Sequence, residues 1–253
     1  MTVAVALVDP PREGLVCADL VERTALSPAD GVALYEGMLA DFFATMAETN
    51  VDLLVNYPTP DLLPDEFAEG DAQAEIEAVA ARVLDDEAMA DVRYEVQVGS
   101  SRAARIGNAI THLLRDENQT SAALIDHRVP LLERSVVDET AIKLRRSETV
   151  VGPAADGAVY IAGFKEPIDF TDLFDDQPIE SIVERTVADG NGADFVRRRE
   201  IPTNPRDLRT VVSLVRARRT AERWVPPHTT RVIEDLDLRV TDGALTVGDD
   251  GNR

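Results

Sequence analysis

The sequence predicts an α/β fold in which a mainly parallel, mixed sheet is flanked by helices. Three observations carry this prediction: short valine-rich apolar runs recur along the chain, stretches of helical period separate them, and proline, glycine and aspartate punctuate the junctions. Thr2 to Val8 is a continuous apolar run that suits a strand buried on both faces. Asp9-Pro10-Pro11 ends it, because proline donates no ladder hydrogen bond. Ser27-Pro28-Ala29-Asp30 starts a helix, with serine as cap, proline at the first helical position and an acid in the first turn. Val32, Tyr35, Met38, Leu39, Phe42, Phe43 and Met46 follow at spacings of three and four, which predicts one buried stripe.

Val51 to Tyr57 reads as a second buried strand, residues 58–70 as a loop rich in proline and aspartate, and Ala72 to Leu84 as a helix. Tyr94 to Val98 alternates as a strand does, and Arg102 to Leu114 places Ile106, Ala109, Ile110 and Leu113 on one helical side. A strand at Ser121 to Asp126, a helix from Glu133 to Arg146 and strands at Thr149 to Val151 and Val159 to Phe164 continue the alternation, which makes the sheet Rossmann-like. Beyond Pro205 the pattern changes. Asp207 to Trp224 reads as an arginine-rich helix, and residues 236–247 as a hairpin turning at Asp242-Gly243, with Gly248 to Arg253 expected to fray.

The charge balance is extreme: 47 acidic residues stand against 26 basic ones, for a net charge of −21 over 253 residues. The acids run from Asp9 to Asp250, and Lys143 and Lys165 are the only lysines. An acidic surface with arginine as its cation suits a salt-rich cytoplasm, because the Debye length at about 1 M salt is only ~3 Å and self-repulsion is screened. A halophilic chain of this kind is expected to lose thermal stability as salt is removed, and a salt-independent melting midpoint would refute it. Nucleic acid is excluded as a partner by the missing basic patch. Cys17 stands alone, so no internal disulfide and no multi-cysteine metal cage form. No apolar run approaches the ~20 residues of a membrane span, and no basic-then-apolar leader opens the chain, so the expectation is a cytoplasmic protein without a membrane partner.

The motif that stands out locally is Gly152-Pro153-Ala-Ala-Asp156-Gly157, a loop of small residues and one carboxylate between two apolar strands. Asp126, at the carboxyl end of a buried strand, occupies the kind of position where open α/β sheets bind ligands. His127 beside it is a candidate ligand or base. Arg105 and Asn108 lie one turn apart and can face a ligand together.

In order along the chain, Pro11-Arg-Glu-Gly14-Leu-Val16, Ala33-Leu34-Tyr35-Glu-Gly-Met38-Leu39-Ala-Asp41, Gln97-Val-Gly99 with Arg105 and Asn108, Gly152-Pro153-Ala-Ala-Asp156-Gly157 with Tyr160 and Gly163, and Thr203-Asn-Pro205-Arg-Asp207-Leu208 resemble the motifs of a glycosyltransferase-like family. That family is domain of unknown function 2064, of the GT-A nucleotide-diphosphosugar transferase fold, and this chain resembles a divergent, haloarchaeal-type member. The resemblance spans about residues 2 to 210. It implies an α/β domain over residues 1–210, with residues 211–253 as a C-terminal helix and hairpin extension bearing a frayed acidic end. It also implies nucleotide contacts at Pro11, Gly14, Arg105, Asn108, Gly152 and Pro153, and a Mg²⁺ or Mn²⁺ site at Asp126 and Asp156.

The departures bear on activity. The family's Lys-Thr-Arg triplet after the first strand is Cys17-Ala18-Asp19 here, which sets a carboxylate where phosphates need positive charge. The second acid of the closing motif is Thr203. Three readings follow: metal-dependent transfer from a nucleotide sugar with a degraded phosphate site, an inactive scaffold or small-ligand-binding protein of the same fold, and a nucleotidylyltransferase, whose triphosphate needs the missing cations most.

Overall fold

The computed structural model describes residues 1–248. Seven strands form one sheet: β1 (Thr2–Leu7), β2 (Asp52–Tyr57), β3 (Val92–Val96), β4 (Ser121–Ile125), β5 (Thr149–Pro153), β6 (Val159–Phe164) and β7 (Ala193–Phe195), in the order β3-β2-β1-β4-β6-β5-β7. β1 pairs in parallel with β2 and with β4, and β2 in parallel with β3. β6 runs antiparallel between β4 and β5, and β7 pairs in parallel with β5. The expected mainly parallel, mixed sheet is therefore present. The strand order reverses at β1, whose neighbours are the second and the fourth strands.

Strand alternation sorts the helices onto two faces. Ala4, Ala6 and Val8 pack with α2 (Pro28–Ala47), α3 (Ala72–Ala80), α6 (Arg134–Lys143) and, through Met89, α4 (Asp86–Asp91), whereas Val3 and Val5 pack with α5 (Arg102–Thr111) and α7 (Pro178–Ala188). The helix begun at Ser27 has the full capping box: Ser27 Oγ accepts from Asp30 N, and Asp30 Oδ2 accepts from Ser27 N. α5 widens after Thr111 into a π turn, His112–Asp116.

Two expectations need correction. α2 is not buried along one stripe. Tyr35, Leu39, Phe42 and Phe43 face the sheet, while Leu34 and Met38 join a second apolar core with Leu20, Leu208, Val211, Val215 and Ile233. That core is built by α1 (Ala18–Arg23), α8 (Pro205–Thr220) and α9 (Pro227–Asp235). Gly37 permits the contact, since a Cβ there would lie 3.3 Å from His228 O and 3.2 Å from Val232. Asp41, buried, caps α9 by accepting from the backbone N–H of His228 (2.9 Å) and Thr229 (2.7 Å). The boundary expected at residue 210 thus falls inside α8, whose apolar face is continuous across it.

The terminal hairpin is also shorter than expected. Leu236 ends α9 and Leu238 is buried, so β8 (Arg239–Thr241) starts late and pairs with β9 (Ala244–Thr246). Asp242 and Gly243, both at positive φ, make the turn. Gly248 donates to Leu236 O (3.1 Å) and so is tied down, while the remainder of the expected frayed end, 249–253, lies outside the described residues. Neither α7 nor β7 is anticipated by the sequence pattern, because only Ile182 and Thr186 of α7 are buried.

Candidate active site

A cleft of about 320 Å³ opens at the carboxyl ends of β1 and β4, where the strand order reverses. Its walls are the segment after β1 (Asp9 and Leu15 to Leu20), Tyr35 of α2, Arg102 at the start of α5, Asp126 to Arg128 after β4, and Pro202-Thr203 ahead of α8. Three acids, Asp9, Asp19 and Asp126, therefore share the cleft with two guanidiniums, Arg102 and Arg128.

The floor is a closed ion pair. Asp126, 8% exposed, is placed by its N–H donating to Tyr160 O (2.8 Å). Its Oδ1 accepts from Arg128 N (2.9 Å) and Nε (3.0 Å), and its Oδ2 from Arg128 Nη2 (2.7 Å). Burial opposes ionisation of this carboxyl, but Arg128 outweighs it and holds the pKa far below the usual carboxylate range. His127, between them in sequence, packs edge-on against Tyr35 (5.2 Å) and Phe42 (6.4 Å), with Nε2 buried and unpaired. Burial depresses its pKa to about 3, so it is a neutral aromatic filler and too weak a base for proton transfer at neutral pH.

The wall after β1 has its polar groups tied up. Tyr35 Oη donates to Asp9 O (2.8 Å) and accepts from Asp9 N (3.1 Å). Arg12 does not reach the cleft: its Nε and Nη2 bind Glu75 at 2.9 and 2.7 Å, and Nη1 donates to Phe67 O. Cys17 lines the cleft in the left-handed conformation (φ 52), and burial pushes its thiol up to about 11, which leaves it protonated and unreactive at neutral pH. Arg102 differs from these groups. It is exposed at the cleft and makes no hydrogen bond or ion pair among the described residues. The carboxyl of Asp9 is raised by burial, an effect that Arg128, Arg102 and Arg105 oppose.

The residues expected from the sequence scatter around this cleft. Asp126 lies in it. Pro11 and Gly14 lie on the segment after β1 but do not line it, and Gly14 (φ +83) turns the backbone beside the Phe67 ring. Arg105 and Asn108 line a separate depression with Asn56, Glu95 and Val98, where Asn108 Nδ2 donates to Val98 O (2.7 Å) and Arg105 Nε is buried without a partner. Gly152 and Pro153 end β5 at a bulge, and a Cβ on Gly152 would lie 2.8 Å from the Tyr160 ring, so packing requires that glycine. Asp156 is exposed in the β5–β6 turn, 3.6 Å from Arg206, and does not line the cleft. The structure therefore does not join Asp126 and Asp156 into one site. Both oxygens of Asp126 are engaged by Arg128, and among the described residues no three His, Cys, Asp or Glu side chains cluster as metal ligands. The residues as arranged do not fit a divalent ion.

Sequence reasoning missed Arg102, Asp9 and Arg128. Only Arg128 carried a local signal, since Asp-X-Arg lets a guanidinium fold back onto the carboxylate two residues earlier.

Residues 67–181 match the family described as "Uncharacterized protein conserved in bacteria (DUF2064)". No curated protein matches the chain. Among solved structures, a protein assigned as a nucleotide-diphospho-sugar transferase from Desulfovibrio desulfuricans G20 superposes with a TM-score of 0.72 at 18% identity, covering 92% of this chain and 95% of that one. A cytidylyltransferase from Leptospira borgpetersenii gives a TM-score of 0.47 at 11% identity (92% and 94% covered). Rv0371c of Mycobacterium tuberculosis, in complex with manganese, gives 0.40 at 12% (78% and 87% covered). Residues 67–181 are thus similar to DUF2064, and the chain shares the fold of the Desulfovibrio protein.

Proposed function

We propose that the cleft between β1 and β4 binds a nucleotide-diphosphate sugar and that the protein transfers the sugar to a small acceptor. The observation that carries this reading is Arg102, a guanidinium in the cleft at the sheet's switch point with no partner among the described residues. In such a transfer the bond from the anomeric carbon to the diphosphate oxygen breaks and one to the acceptor oxygen forms, the acceptor hydroxyl losing its proton to water, so negative charge grows on the departing diphosphate. A guanidinium beside it interacts more strongly as that charge develops, and an interaction that is stronger in the transition state than in the ground state lowers the barrier. Cleft size suits the diphosphate and its nearest groups. The depression that holds Arg105 and Asn108, at the ends of β2 and β3, supports placement of the nucleoside end there.

The test is a thermal-shift panel of nucleotide sugars in molar KCl, followed by Arg102→Ala. A nucleotide sugar is expected to raise the melting point, and Arg102→Ala to reduce affinity about tenfold or more, the worth of one charge-assisted hydrogen bond. No shift by any nucleotide sugar in a folded sample refutes the reading.

A second reading, a ligand-binding scaffold without transferase activity, is favoured by one specific observation: Arg12 is spent on Glu75 and Phe67 rather than offered to the cleft. Binding without release of nucleoside diphosphate over long incubation with candidate acceptors would favour it.

A further inference from the structure

We propose that Arg128 takes the place of a divalent cation in this cleft, so that its guanidinium, clamped on Asp126, is the built-in positive charge that meets the ligand's diphosphate. The proposal rests on the nucleotide-sugar reading above and goes beyond it by making binding independent of metal.

Asp126 stands immediately after β4, at the switch point, where a carboxylate is well placed to hold a cation for a phosphorylated ligand. Its coordination is filled from within the chain. Three N–H groups of one residue, the backbone N, Nε and Nη2 of Arg128, engage both oxygens at 2.7 to 3.0 Å. Only one residue, His127, separates the partners, so the pair is formed within a single turn and needs no long-range closure. The guanidinium uses one edge for Asp126. Its Nη1 has no protein partner and is not among the sealed, unpaired atoms, and the side chain keeps 32% of its surface while lining the cleft. That free edge offers the ligand what a metal held by Asp126 would offer, a cation whose position is fixed by a carboxylate behind it.

The substitution has consequences. A guanidinium brings one positive charge where Mg²⁺ or Mn²⁺ brings two, and Asp9 and Asp19 remain in the same cleft. The site is therefore less suited to a triphosphate than to a diphosphate. In concentrated salt a half-buried, fork-held guanidinium keeps its place, whereas a solvated ion must compete with the bulk cations.

The experiment uses the whole chain in molar KCl, with ADP, CDP, GDP, UDP and dTDP as probes in calorimetric titrations run in EDTA and in Mn²⁺. At least one diphosphate is expected to bind with the same affinity, within about twofold, in both conditions. Arg128→Gln is expected to weaken that binding about tenfold or more in EDTA, the usual loss for a charge-assisted hydrogen bond, and Arg128→Lys, which keeps the charge but not the fork, to fall between. Melting curves establish that each variant is folded, and Arg128→Lys carries the test if the glutamine variant does not fold. Mn²⁺ electron paramagnetic resonance gives a readout independent of nucleotide: wild type should leave the free Mn²⁺ signal intact, and Arg128→Gln, with Asp126 released, should reduce it. Nucleotide binding by wild type only in Mn²⁺ overturns the proposal, as does wild-type capture of Mn²⁺ that Asp126→Asn abolishes. Unchanged binding by the Arg128 variants in EDTA overturns it too. Binding of no diphosphate in either condition refutes the nucleotide-sugar reading itself, and Arg128's role falls with it.

Discussion

Asp126 and Asp156 are read from the sequence as one pair of metal carboxylates, yet they occupy opposite physical situations. Asp126 ends a strand buried along its whole length and is locked by three hydrogen bonds to Arg128. Asp156 sits in the β5–β6 turn with its side chain 71% exposed and a single loose contact to Arg206. The same side chain is thus a structural and electrostatic fixture at one strand end and a solvated turn residue at the other. Motif spacing cannot report this difference, because it lies in what surrounds each carboxylate rather than in its place along the chain.

The largest effect that separates the two is stability. Asp126→Ala strands the Arg128 guanidinium in a half-buried site and is expected to cost about 3 to 5 kcal/mol, the range for breaking a buried pair from one side. Denaturant unfolding in constant salt measures it, and a loss under about 1 kcal/mol would mean that the pair is effectively solvated.

Acid should attack the same turn next. His127 is neutral in the folded chain, with its pKa depressed from 6.5 to about 3, so below pH 6.5 the unfolded chain takes up a proton that the folded chain refuses. Stability then falls by up to about 1.4 kcal/mol per pH unit from pH 6.5 down towards 3, and is flat above 6.5 with respect to this group. Asp126, also depressed, adds a loss of the same sign once the pH drops below its ordinary value of 3.8. His127→Phe keeps the aromatic packing and should remove the slope between pH 6.5 and the carboxylate range; an unaltered slope would assign the acid sensitivity elsewhere.

The smallest effect belongs to Asp156. Asp156→Asn keeps a residue type that tolerates the left-handed conformation (φ 51) and should change stability by less than about 0.5 kcal/mol. A larger loss, read from the same unfolding curves, would show that the turn is more than a solvated connection and would erode the contrast with Asp126.

Much of the fold was legible because its signals are local. The Ser27-Pro28-Asp30 cap, the buried runs of β1, β2 and β4, and the Asp242-Gly243 turn each express a rule that operates within a few residues. The second face of α2 was not legible in the same way. Gly31, Leu34 and Gly37 break no helical period, and only the packing of α1 against Gly31 and of α9, nearly 190 residues downstream and capped by Asp41, against Gly37 explains why this face is buried. The candidate site divides likewise. Asp126 was visible as a strand-end acid, while Arg102 is one arginine among many until the sheet brings the start of α5 to the ends of β1 and β4.

By itself, then, the sequence determined the alternation of strands and helices and the acidic character of the chain, since these follow from local periodicity and from composition. The tertiary structure decided which charges face the cleft and which are consumed. Arg12 is drawn away by Glu75 and Phe67, Arg128 is folded onto Asp126, and Arg102 is left without a partner. The physical reason is that charge has a chemical role only relative to its neighbours, and those neighbours are set by packing between segments far apart in the chain.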